Sequence, residues 1–134
     1  MDGERIPERL RRLLAGRAED LAAAYLFGSV ARGEAGPTSD VDLAVLFGAT
    51  PPPTLEGLAF DLQDDLGREL GRPVQLVVLD RAPVDLVHRV LRDGILVLER
   101  DRSRRIAFEV RSRNEYFDLV PILDRYRHPA PAAP

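Results

Sequence analysis

Apolar residues in this chain occur in two patterns, short continuous runs and longer stretches with an apolar residue every three or four positions. The continuous runs are Leu21–Phe27, Val41–Phe47, Pro73–Leu79 and Ile95–Leu98. Runs of this length next to glycine or proline are typical of β-strands. The stretches with helical spacing are about Glu4–Ala15, Leu55–Leu70, Pro83–Asp93 and Arg102 to about Phe117. This order of elements predicts one small α/β (α+β) domain, with helices packed on a mixed sheet.

Three further segments complete this prediction. Val30–Ser39 is small and polar, which predicts a short helical turn followed by a loop. Gly48–Thr54 holds three consecutive prolines and is predicted to be a loop. The Pro- and Ala-rich residues 129–134 are expected to form a disordered tail after a domain that spans residues 1–128.

The last predicted helix has an apolar face of its own. Ile106, Val110 and Phe117 recur at helical spacing, and we expect them to form part of the face that packs on the core. Pro121 should end or bend this helix. Tyr25 lies within the first strand and is also expected in the core.

Composition excludes several classes of function. The 134 residues are 45% hydrophobic, yet no apolar run approaches the roughly 20 residues of a membrane span. The absence of cysteine excludes disulfides and thiolate chemistry, and the absence of lysine excludes a catalytic lysine. The two histidines do not have the spacing of a zinc site. A net charge of −3 makes nucleic acid an unexpected partner, and an N-terminus without an apolar signal core predicts a cytoplasmic protein.

Two carboxylates stand at the start of the second strand. Asp40 and Asp42 are two residues apart, so their side chains are expected on the same side of the sheet. Adjacent carboxylates repel each other unless a cation lies between them. Mg²⁺ commonly binds one or two carboxylates together with substrate phosphates. The pair is therefore a candidate metal site.

A glycine–serine pair follows the first strand. Gly28 and Ser29 precede a short helical turn, whose free N–H groups could bind an anion close to the backbone. Arg32, one turn further on, could neutralise a polyphosphate. With Ser39, these residues form the candidate nucleotide-binding set. A phosphate site beside a two-carboxylate metal site is typical of phosphoryl or nucleotidyl transfer.

These motifs together resemble a known family. Gly28-Ser29, ten intervening residues and Asp40-Val41-Asp42-Leu43 resemble the signature of polymerase-β-like nucleotidyltransferases, and GSVARGEAGPTSDVDLAVLF resembles the minimal members. Arg92–Tyr126 is similar to the C-terminal part of MntA-type antitoxins, which are encoded beside HepT-type HEPN ribonuclease toxins. The resemblance implies a polymerase-β-like fold, Mg²⁺ and ATP as cofactor and substrate, and transfer of AMP to a tyrosine of the toxin.

One position departs from the pattern that the family shows. The third catalytic carboxylate of the family falls at Gln75, and an amide is a poor metal ligand and no general base. Asp80 lies too far along the chain to replace it, and the pattern does not place Asp85 there. Asp40, Asp42 and Gln75 are therefore the candidate catalytic positions. Nucleotide binding is expected, and three functions stay open: AMP transfer to a toxin, inhibition of the toxin by binding alone, and nucleotidyl transfer to a small molecule. A homodimer through an edge strand also stays open.

Overall fold

The computed structural model describes residues 5–17, 19–36, 39–48 and 55–127, and within them it follows the predicted order of elements. The strands are β1 (Leu21–Phe27), β2 (Val41–Phe47), β3 (Val74–Val78) and β4 (Ile95–Glu99). The helices are α1 (Ile6–Ala15), α2 (Gly28–Ala31), α3 (Leu55–Leu70), α4 (Val84–Asp93) and α5 (Arg102–Arg127), with a 3₁₀ turn at Leu79–Arg81. The proline loop beyond Gly48 and the predicted tail lie outside the described residues.

The four strands form one mixed sheet in the order β3-β2-β1-β4. β1 is antiparallel to both of its neighbours, whereas β2 and β3 are parallel. The two central strands are buried along almost their whole length, which explains why their sequences are continuous apolar runs. The mixed α/β fold predicted from the sequence is confirmed.

Helices cover both faces of this sheet. α1 and α3 pack on one face through Leu10, Leu14, Leu66 and Leu70. α4 and α5 pack on the other face, where Val87, Val90 and Phe108 contact the central strands. None of the helices in the described segments is long and apolar enough to cross a membrane.

The prediction of which side of α5 packs on the core is wrong. Ile106, Val110 and Phe117 are 46%, 48% and 63% exposed, respectively, and α5 continues past Pro121 to Arg127. Among the described side chains, the buried residues of α5 are Phe108, which packs on the sheet, and Ser112.

Polar residues on the inner side of α5 explain the error. Arg104 pairs with Asp80 at 3.1 Å, and Arg105 bonds Glu109 at 2.6 Å. The Tyr25 hydroxyl donates a hydrogen bond of 2.7 Å to Glu109, which links β1 to the helix. Because these charges are paired, they can face the sheet, and the apolar residues at helical spacing face outward.

Candidate active site

Four of the candidate residues meet at one end of the sheet, on the face covered by α4 and α5: Gly28, Arg32, Asp42 and Gln75. In the strand register, Asp42 lies opposite Phe27 on one side and Gln75 on the other. Paired residues in neighbouring strands point to the same face, so Asp42 and Gln75 share a side of the sheet. A cavity of about 340 Å³ opens there, and it is lined by Phe27, Gly28, Arg32, Asp42, Gln75, Val77, Leu86, Arg89 and Asp93.

Gly28 lies where the backbone conformation and a neighbouring carboxylate leave little room for a side chain. Its φ is +75°, a left-handed conformation that residues with a Cβ atom rarely adopt. A Cβ atom at Gly28 would lie 2.2 Å from Oδ2 of Asp42. The turn into α2 therefore favours glycine here, and a Cβ atom at this position would displace the Asp42 carboxylate.

The two aspartates have different environments. Asp42 is half-buried, whereas Asp40 is exposed at the start of β2. Burial raises the pKa of the Asp42 carboxyl, the charge of Asp40 raises it further, and Arg32 lowers it. This electrostatic arrangement favours a bound cation, because a cation would relieve both the burial of the charge and the repulsion.

The donor set suits Mg²⁺ through two carboxylates. No group of three or more acidic or histidine side chains close enough to hold a metal ion occurs in the part of the chain that the structure describes. The third position in the register is the amide of Gln75. Asp40 and Asp42 are the residues that could hold one Mg²⁺ together with substrate phosphates.

The other predicted binding residues take separate positions. Ser29 is half-buried in α2, at the beginning of a helix whose first N–H groups have no intrahelical partner. Arg32 lines the cavity, and its Nε donates a 3.0 Å hydrogen bond to Glu34. The Ser39 hydroxyl accepts a 3.0 Å hydrogen bond from the Gly36 N–H, so it stabilises the loop before Asp40. Ser29, Ser39 and Asp40 are not among the residues that line the cavity.

Arg72 stabilises that loop from the other side. Its guanidinium donates hydrogen bonds of 2.7 and 3.0 Å to the carbonyl of Ser39 and one of 3.0 Å to the carbonyl of Gly36. The Val41 N–H donates to the carbonyl of Pro73 at 2.9 Å. The chain on each side of Asp40 is thus tied to the segment that leads into β3.

The sequence analysis did not identify the residues that α4 contributes. Leu86, Arg89 and Asp93 lie on one side of this helix and line the cavity. Asp93 is held by two hydrogen bonds from Arg92, whereas Arg89 has no ion-pair partner among the described residues. Their spacing of three and four residues indicates a shared helix face, but which face meets Asp42 depends on how α4 crosses the sheet.

Asp80 and His88 are occupied elsewhere. Asp80 accepts a 3.0 Å hydrogen bond from the Phe47 N–H and pairs with Arg104, so it does not replace the missing carboxylate. The ring of His88 stacks on Tyr116, with 3.6 Å between ring centroids.

A glycine–serine turn beside paired aspartates on a mixed sheet defines the nucleotidyltransferase class. The family model described as "Polymerase beta, Nucleotidyltransferase" matches residues 8–103, and the chain belongs to this family. No curated protein matches the sequence.

Solved structures extend the similarity. A toxin–antitoxin structure with AMP-PNP contains a chain 25% identical, with a TM-score of 0.71 over 91% of this chain and 98% of that one. A minimal nucleotidyltransferase is 30% identical, with a TM-score of 0.53 over 71% of this chain and 98% of its own. A complex of the tri-AMPylated Shewanella oneidensis HEPN toxin with its MNT antitoxin shares the fold, with 24% identity and a TM-score of 0.64 over 90% of this chain and 95% of that one. The resemblance to minimal nucleotidyltransferases and antitoxins is confirmed.

Proposed function

We propose that this protein is an antitoxin that transfers AMP from Mg·ATP to a hydroxyl on a HEPN-domain toxin ribonuclease; the family resemblance implies that this hydroxyl belongs to a tyrosine. The observation that carries the proposal is the strand register that brings Gly28, Asp42 and Gln75 to one cavity, with Arg32 on its wall. One similar toxin–antitoxin structure contains AMP-PNP, which supports ATP as the nucleotide, and another contains a HEPN toxin, which supports a HEPN protein as the partner.

The reaction makes one bond and breaks one. The acceptor oxygen bonds the α-phosphorus of ATP, the bond between the α-phosphorus and the bridging oxygen breaks, and pyrophosphate leaves. Mg²⁺, when bound, would neutralise the triphosphate and the developing charge. Asp40 and Asp42 would hold the metal, the first turn of α2 with Ser29 would bind phosphate, and Arg32 would add positive charge beside it.

Removal of the proton from the acceptor hydroxyl is the step that the residues of this site support least. Gln75 is neutral and cannot take it, so the proton passes to Asp42 or to solvent. This observation favours a second candidate function, in which the protein binds nucleotide and restrains its partner by contact alone. The two candidates differ in whether the partner gains mass.

Intact-mass spectrometry of the HEPN-domain protein that co-purifies with this chain, after incubation with Mg·ATP, separates them. AMP transfer adds the mass of one or more AMP groups to the partner. Asp42→Asn should abolish the addition, whereas Asp61→Asn, an exposed residue on α3, should not change it. A stable complex without added mass would support the binding-only function, and the absence of any HEPN-domain partner would refute both.

A further inference from the structure

The exposed side of α5 carries a line of apolar residues, the α5 stripe, formed by Ile106, Val110, Phe117 and Pro121. These positions are four, seven and four residues apart, so they lie on one face of the helix. All four are exposed, whereas Phe108 and Ser112 on the opposite side of the helix are buried. The stripe therefore contributes nothing to the core of this chain.

The stripe belongs to a part of the chain beyond the nucleotidyltransferase core. The family model ends at residue 103, one residue after α5 begins. The match to the minimal nucleotidyltransferase structure includes 98% of that chain but only 71% of this one. The toxin–antitoxin chain is also 98% covered, but it matches 91% of this chain, which cannot be reached without much of α5. A long helix that lies outside the core enzyme and is shared with a chain of a toxin–antitoxin complex points to a role in binding a protein.

The stripe also continues to the mouth of the active site. Phe117 lines a groove of about 200 Å³ between α4 and α5, together with His88 and Arg92. The next residue along α4, Asp93, lines the catalytic cavity. A protein docked along the stripe would thus lie next to the cavity that its acceptor hydroxyl must enter.

We infer that the α5 stripe is the surface on which the toxin docks, through an apolar patch of its own, and this inference rests on the proposed function. Charges on the face of the stripe favour a protein over a membrane, because both signs occur there: Arg113 lies four residues before Phe117 and Asp124 lies seven residues after it, and acidic groups oppose binding to anionic lipid. A few residues near the centre of an interface carry most of the binding energy, and losing one of them costs about tenfold or more in affinity.

The test measures the affinity of the co-purifying HEPN-domain protein for variants of the full chain. Phe117→Asp and Val110→Asp should each weaken binding by about tenfold or more. Phe60→Asp is the matched control, since Phe60 is 67% exposed on α3 and Phe117 is 63% exposed on α5. The control should bind as the unchanged chain does, and all three variants should keep the same affinity for Mg·ATP.

The outcomes separate the inference from the function on which it rests. Stripe variants that bind the HEPN protein within twofold of the unchanged chain would overturn the inference, as would an equal loss in Phe60→Asp. Binding of the stripe to vesicles of phosphatidylglycerol and phosphatidylcholine, with no effect on the HEPN protein, would also overturn it. If the unchanged chain binds no HEPN protein, the proposed function itself fails. If AMP transfer fails but stripe-dependent binding remains, the inference stands.

Discussion

A comparison of Gly28→Ala with Gly33→Ala separates the cost of backbone strain from the loss of the metal-binding geometry. Gly28→Ala places a side chain at a φ of +75°, and Gly33→Ala does the same at +73°. A non-glycine residue in the left-handed region costs about 1–2 kcal/mol. Both variants should therefore lose about that much free energy of unfolding.

The surroundings of the two glycines differ. The new Cβ at Gly28 would lie 2.2 Å from Oδ2 of Asp42, whereas at Gly33 no atom lies within 4 Å. The pairing of Phe27 with Asp42 fixes the backbone of both strands, so the Asp42 carboxylate must rotate away. Gly28→Ala should therefore lose the metal-binding geometry in addition to stability, while Gly33→Ala should lose stability alone.

Two measurements check this reasoning. Urea denaturation gives the free energy of unfolding, and titration calorimetry with Mg²⁺ and AMP-PNP gives the affinity for nucleotide. We expect Gly28→Ala to bind at least about tenfold more weakly than Gly33→Ala, the factor that corresponds to about 1.4 kcal/mol. Equal affinities in the two variants would show that the contact with Asp42 does not matter and would refute the assignment of this carboxylate.

Four further predictions address single side chains. Gln75→Asp should strengthen Mg²⁺ binding and increase AMP transfer, measured by the rate of mass gain of the partner; an unchanged rate would show that this position is not limiting. Burial and Asp40 raise the pKa of Asp42, so the metal-free chain should lose stability as the pH rises from about 4 through that raised pKa, and Asp42→Asn should flatten the dependence in urea unfolding. Asp80→Ala breaks a part-buried ion pair and leaves the Phe47 N–H without its acceptor, which should cost about 1–3 kcal/mol of unfolding free energy while the remaining folded fraction binds ATP normally. Arg89→Gln should weaken ATP binding several-fold more than AMP binding in calorimetry, because its guanidinium lines the cavity and has no ion-pair partner in the described part of the chain; an equal effect on both nucleotides would contradict a phosphate contact.

The sheet could be predicted from the sequence because its strands are distinctive. Central strands covered on both faces need continuous apolar runs, and Leu21–Phe27 and Val41–Phe47 have them. The resemblance to the family placed Gln75 at the third carboxylate position, and the β2–β3 register pairs it with Asp42.

The side of each helix that meets the sheet could not be predicted as well. The cavity residue Arg89 has no motif of its own, since its role depends on how α4 crosses the sheet. In α5, apolar periodicity pointed to Ile106, Val110 and Phe117 as the inner face, and these are exposed. The true inner side carries arginines and acids that become acceptable there only through partners distant in the sequence. Periodicity identifies an apolar face, but it does not say whether the chain itself or another molecule covers it.

Gln75 has opposite consequences for the empty and the metal-bound site. Asp42 is already half-buried beside Asp40, and the pKa shift of Asp42 shows that its charge is held at a cost. A third carboxylate in register with Asp42 would add like-charge repulsion until a cation arrived, whereas an amide adds none. The change Gln75→Asp should therefore lower the stability of the metal-free chain above about pH 5 and make that stability depend more steeply on Mg²⁺. A neutral residue at this position thus stabilises the metal-free chain but supplies no third carboxylate to the metal. Gln75 should therefore limit the rate of AMP transfer rather than the binding of ATP.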